Sequence, residues 1–292
     1  MRCISRMTIA TLLAMTLAWP AAAQTSGGET GQAQPATAPP TQEEDDPDRD
    51  INRAQPDFTL VALPTTLRVP RFKSSFRVTH RFGRPLGEGD FGDLLSDLFG
   101  LDSGAVIGLE YRFGLFRGAQ VGIHRTSSTK TIQFMGQYDI KRQSDTFPIG
   151  INALAAIEGL DNFQESYSPT LGVLLSREIG DYGALYVEPM WVNNSNPLPE
   201  ELIEDNNTVM IGLGARLRIR PTVYLLVEGS PRVAGFTPGV TLASFGIEKR
   251  SGGHLFQLNF SNGLATTFAQ IARGGFEGND WHIGFNISRK FF

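Results

Sequence analysis

From Phe72 to Phe292 the chain reads as about twelve short segments of alternating apolar and polar residues, joined by connections that are by turns very short and long. Alternation with period two sends successive side chains to opposite faces of a strand, so each segment has one greasy and one polar face. Tight turns are expected at Phe116-Arg117-Gly118, Asp181-Tyr182, Pro221-Thr222 and Arg250-Ser251-Gly252, and long polar or glycine-rich loops over 83–103, 159–168, 193–207, 229–239 and 261–280. If the first strand is entered from the periplasm, all the long connections fall on the outer side, which then holds a single brief link, Thr126 to Thr129. The rhythm predicts an all-β fold: an antiparallel transmembrane β-barrel of about 12 strands with a polar lumen, short periplasmic turns and long outer loops.

The front of the chain agrees with export. Arg2 and Arg6 precede an apolar run from Ile9 to Trp19 and the small residues Ala21-Ala22-Ala23, the order of a secretory signal peptide over 1–23, with a mature start at Gln24. No later stretch approaches the roughly 18 continuous apolar residues of a membrane helix. A barrel is the remaining way to span, because it closes every backbone hydrogen bond between strands. The one cysteine, Cys3, lies in the leader, so neither a disulfide nor thiol chemistry is expected after processing.

Residues 24–57 are rich in Gln, Thr, Gly, Pro and acids and are expected to form a disordered acidic linker. That segment holds eight acids and two arginines, whereas 58–292, the expected barrel, holds 22 acids and 22 bases. The run Glu43-Glu44-Asp45-Asp46-Pro47-Asp48 offers either a solvated tail, a calcium ligand set or a handle for a basic periplasmic partner.

Strand parity is clearest at two places. Phe72, Phe76, Val78 and Phe82 alternate with Lys73, Arg77, Thr79 and Arg81, and Val209, Ile211, Leu213, Leu217 and Ile219 alternate with Gly212, Gly214, Arg216, Arg218 and Arg220. In a barrel the apolar parity meets lipid and the other lines the lumen. The competing fold is a soluble β-sandwich or lipocalin-like cup, which buries its apolar faces; the polar, glycine-rich second faces argue against it. The terminal Phe291-Phe292 resembles the C-terminal signal read by the outer-membrane barrel-assembly machinery, although Lys290, Ser288 and Asn286 occupy the alternate positions counted back from Phe292.

Phe72-Lys73-Ser74, His80-Arg81-Phe82-Gly83, Phe99-Gly100-Leu101-Asp102, Lys141-Arg142-Gln143, the run His254 to Asn262 and Phe285-Asn286-Ile287-Ser288-Arg289 resemble the β-barrel proteins of domain-of-unknown-function family 5777, over about 72–289. The resemblance implies a bacterial membrane barrel and brings no activity, ligand or catalytic residue with it. Function has to come from the residues themselves.

The inward parity names the candidate lumen-lining residues Arg77, Arg81, Glu110, Arg112, His124, Glu158, Arg216, Arg218, Glu228 and His282. Bases dominate the periplasmic half, with Lys73, Asp139, Lys141, Arg220 and Glu248 added, while Glu158, Glu188 and Glu228 oppose Arg81 in the outer half. Such charges either set ion selectivity or pair across a filled lumen, because about eight strands pack solid and 16 leave a pore.

Phe91, Leu94, Leu95, Leu98 and Phe99 keep helical spacing behind Asp90, predicting a short helix whose apolar face packs on the barrel rim or gates its mouth. Asn193, Asn194 and Asn196, with Glu200, Glu201, Glu204 and Asp205, offer oxygen ligands for calcium without EF-hand spacing. His124, His282 and Asp280 make the most suggestive hydrolytic set, but no spacing fixes a nucleophile beside them.

No phosphate-binding, zinc or haem motif occurs, and a sequence pI near 5.6 without a basic stripe argues against nucleic acid. The expectation is a non-enzymatic outer-membrane barrel without cofactor or catalytic residue, surrounded by outer-membrane lipid, its linker and C-terminus periplasmic. It acts as a narrow passive channel or small-solute transporter; the alternatives are a non-conducting anchor for a periplasmic protein and an outer-rim hydrolase.

Overall fold

The computed structural model describes residues 47–98, 100, 104–198, 204–278 and 280–292. The leader, the first part of the linker, Phe99, Leu101, Asp102, Glu200 and Glu201 therefore lie outside the described residues. Residues 44–292 form one compact unit; a second unit, residues 1–43, falls wholly outside them. The strands are β1 (Ser74–Phe82), β2 (Ala105–Phe116), β3 (Ala119–Thr126), β4 (Ile132–Lys141), β5 (Gly150–Gly159), β6 (Glu165–Ile179), β7 (Gly183–Asn193), β8 (Asn207–Arg220), β9 (Val223–Ser230), β10 (Arg232–Gly235), β11 (Leu242–Ser251), β12 (His254–Ser261) and β13 (His282–Lys290).

From β1 to β9 and from β11 to β13 each strand pairs antiparallel with its chain neighbour, β1 closes on β13, and β9 links β8 to β11, so twelve strands form a closed barrel. β10 is the continuation of β9 beyond Pro231, which lacks a backbone N–H, and it stays paired with β8 across a register shift. Among the described residues no helix is long and apolar enough to cross a membrane; the strands do the crossing.

The expected tight turns stand between β2 and β3, β6 and β7, β8 and β9, and β11 and β12, at one end of the barrel together with the start of β1 and the end of β13. Two expected long loops are shorter. The chain leaves β5 at Gly159 and re-enters β6 at Glu165, and 229–239 is largely taken up by β9 and β10. Polar residues in 165–168 and 232–235 obscure the alternation there, yet their backbones still pair.

Outward side chains such as Leu109, Tyr111, Ile123, Phe134, Leu213, Leu217, Phe256 and Leu258 are exposed, as a lipid-facing surface requires. The inner face is mostly polar on one side and mixed on the other. Ser75, Arg77, Thr79, Glu110, Gln133, Gln257, Asn259 and Asn286 line β1–β4, β12 and β13, whereas Leu154, Leu174, Tyr186, Met190, Met210, Leu226 and Leu242 point inward from β5–β9 and β11. The uniformly polar lumen expected from parity is thus half apolar.

That apolar half is covered from both ends. Residues 54–70, preceding β1, run inside the barrel, and their Leu60 and Leu63 join one buried cluster with the wall residues and with Phe268, Ala269, Ile271 and Ala272 of a short helix in the last loop. The linker was expected to extend to Asp57, but Ala54, Gln55 and Asp57 are already buried. The last loop, expected to lie outside, folds back into the lumen, where Phe268 and Ile271 are buried against the inward apolar residues of the wall.

Inward glycines make the room. A Cβ on Gly214 would lie 2.2 Å from Leu60 Cδ1, and one on Gly114 would lie 2.2 Å from the Pro70 carbonyl oxygen. Gly114→Ala is therefore expected to loosen the segment where it leaves the barrel, without breaking a strand pair. Limited trypsin digestion in detergent should then cut after Arg68, with the wild-type chain resistant at that bond.

Candidate functional site: the occupied lumen

The inserted segment is a hairpin. Thr65 N donates to Phe58 O at 2.9 Å and Leu60 N to Leu63 O at 2.7 Å, so the tip is Leu60-Val61-Ala62-Leu63. At that tip three successive backbone N–H groups point one way and converge on the Glu228 carboxylate: Val61 at 3.0 Å, Ala62 at 2.9 Å and Leu63 at 3.1 Å. The Val61 carbonyl points the other way and accepts from Arg77 at 3.4 Å, Arg81 at 3.1 Å and Asn286 at 3.1 Å. Buried backbone groups need partners, and here charged or amide side chains of the wall supply them.

Below the tip the grip continues. Arg216 donates to the Asp57 and Thr59 carbonyls, Gln257 to the Leu60 carbonyl, Gln137 to the Thr65 carbonyl and Gln120 to the Leu67 carbonyl. At the short-turn mouth Arg68 pairs with Asp48 and Asp139, and Arg142 with Asp48, beside a polar cleft of 390 Å³. Burial, with Arg142 alongside, lowers the Arg68 pKa from its ordinary value. From the other end, the loop helix is held by Glu158, which accepts from Thr267 Oγ1 and Ala269 N at 3.0 Å each, and by Gln133, which accepts from Phe268 N at 2.9 Å.

Of the candidate residues, Arg77, Arg81, Glu110, Arg112, His124, Glu158, Arg216, Glu228 and His282 all face inward and are buried. Arg218 shares the parity of Arg216 but lies at the short-turn rim, half-buried, where it reaches Asp181. Glu110 pairs with Arg112 at 2.6 Å and Arg216 with Glu248 at 3.1 Å, so part of the charge is cancelled within the wall. A water-filled pore would leave mid-height inward residues accessible; Thr79 and Arg81 are instead 1% exposed and Glu188 0%.

The hydrolytic set is not assembled. Strand register places His124 level with Glu110, Arg77 and Ser288, six positions along β13 from His282, and six residues of strand span about 20 Å. His282 Nδ1 lies 3.0 Å from the Phe82 carbonyl. The helix Phe91–Ser96 has its Asp90 cap, and none of its residues is buried. In the Asn-rich loop, Asn194 and Asn196 bond Asn206 and the Asp205 backbone.

Residues 57–291 match the sequence profile of the family described as membrane bound beta barrel domain, DUF5777, a match that takes in the inserted hairpin. No curated protein matches the chain in sequence. Among solved structures, the NanC porin is similar at 10% identity and a TM-score of 0.49, over 75% of this chain and 99% of that one. An outer membrane channel from Pseudomonas putida F1 gives 10% identity and 0.47 over 77% and 97%. The Acinetobacter baumannii outer membrane protein Omp33 gives 8% and 0.43 over 77% and 100%.

Glu228→Ala removes the acceptor of three buried N–H groups, each worth about 1–3 kcal/mol when orphaned. The tip is expected to leave its seat, so that a cysteine at Ala62 becomes reactive to a water-soluble maleimide in the Glu228→Ala background and stays inert with Glu228 present.

Proposed function

Because the chain belongs to the DUF5777 family of membrane-bound β-barrels, we propose that it is an outer-membrane channel for small solutes, held shut by its own N-terminal segment. The carrying observation is that residues 54–70 fill the lumen without belonging to the barrel wall: all twelve wall strands pair with one another, and none needs the hairpin. The hairpin can therefore withdraw while every ladder hydrogen bond stays made. In this account the short turns and both chain ends face the periplasm, as is usual for such barrels. The barrel is a conduit and not an enzyme, which accords with the separation of His124 from His282. The polar cleft at the short-turn mouth marks where a solute first meets the hairpin.

Thr66 Oγ1 and Ser176 Oγ lie 2.6 Å apart, one on the hairpin and one on the wall. In the cysteine-free mature chain, Thr66→Cys with Ser176→Cys is expected to form a disulfide that pins the hairpin. In planar bilayers the oxidised double variant should stay silent and the reduced form should open stepwise. Equal silence in both states and in the wild type would favour a non-conducting anchor.

A further inference from the structure

Three acids stand on one side of the wall, Glu158 on β5, Glu188 on β7 and Glu228 on β9. Two of them hold the pieces that fill the lumen: Glu228 takes the hairpin tip and Glu158 takes the loop helix. Glu188 takes nothing. Both its carboxylate oxygens are buried without a hydrogen-bond partner, and it sits between the inward Tyr186 and Met190 with Leu63 packed beside it at Gly212. A desolvated carboxylate without a partner destabilises the packing around it, and an apolar residue of that size would suit this state better.

The closed barrel therefore gives no reason for an acid at position 188, and its use falls in a state from which the hairpin has withdrawn. Withdrawal also frees charges elsewhere. Arg81 loses the Val61 carbonyl and is within electrostatic reach of Glu228, while Arg77 shares Glu110 with Arg112 and Lys290 loses Asp57 from its electrostatic reach. Arg112 and Arg216 already have their wall partners. Glu158 keeps its bonds to Thr267 and Ala269 of the last loop, with Arg273 of that loop within electrostatic reach. Among the described residues Glu188 is the wall acid with neither carboxylate oxygen partnered.

We propose that Glu188 is the specificity-determining residue of the open lumen, a buried carboxylate that selects cationic solutes over anions. The inference deepens the channel function and rests on it. Rings or files of carboxylates select cations by replacing part of their hydration with a fixed negative charge.

The test is the reversal potential of single openings in a KCl gradient, with the full mature chain in a planar bilayer. Wild-type openings should favour potassium over chloride, Glu188→Gln should lower the permeability ratio several-fold, and Glu188→Asp should keep it. Anion preference, or a ratio that Glu188→Gln leaves unmoved, would overturn the role of Glu188 and leave the channel standing. Absence of openings in every variant would remove the channel function and this inference with it. A second readout needs no conduction: Glu188→Met should raise the thermal unfolding temperature of the closed barrel in detergent, whereas a fall would mark Glu188 as a structural residue and overturn the assignment.

Discussion

Three consecutive backbone N–H groups converge on a single acceptor at a tight tip, and a carboxylate fixed in a barrel wall is the acceptor that matches them. The seat made by Glu228 for Val61, Ala62 and Leu63 determines how far residues 54–70 enter, and hence whether the lumen is filled. Everything beneath the tip follows from that depth. Asp57 comes level with Ser288, Thr66 with Ser176, and Arg68 with Asp139 at the mouth. The barrel itself is indifferent to the arrangement, since its ladder closes without it.

The two-faced lumen explains why the filling is a hairpin and not a helix. A hairpin tip offers leucine side chains in one direction and backbone carbonyls in another. Leu60 and Leu63 cover the apolar side, while the Val61 carbonyl meets the arginines of β1. Burial of the leucines supplies attraction of about 1.5–3 kcal/mol for each side chain, and the directional bonds fix the register. The loop helix joins the same buried cluster from the opposite end.

Much of the wall was legible in the sequence. β1 and β8 alternate cleanly because their inner faces carry arginine and glycine, and the four tight turns stand where Gly, Pro and Asp announce them. β7 was not legible in the same way: Ala184, Tyr186, Met190 and Val192 face inward, Leu185, Val187 and Trp191 outward, and parity cannot tell two apolar faces apart. That ambiguity hid the apolar half of the lumen. The hairpin was missed for a related reason. Phe58-Thr59-Leu60-Val61-Ala62-Leu63-Pro64 is too short to span and ends in proline, so it reads as a boundary; beside the inward glycines Gly212 and Gly214, which leave space for something to fill, it could have been found. The inward parity of Arg77, Arg81, Arg216 and Glu228 can be read from the alternation, while the partners they hold depend on a chain reversal that no periodicity records.

The central claim is that the hairpin tip is seated on Glu228 in the intact barrel. Residue-resolved hydrogen exchange of the detergent-solubilised protein tests it most directly, because those three amides are protected only by that seat. The account predicts that Val61, Ala62 and Leu63 exchange far more slowly than the exposed amides of Gly87 to Gly89. Exchange of all three at the rate of an unstructured peptide, with the barrel strands still protected, would contradict it.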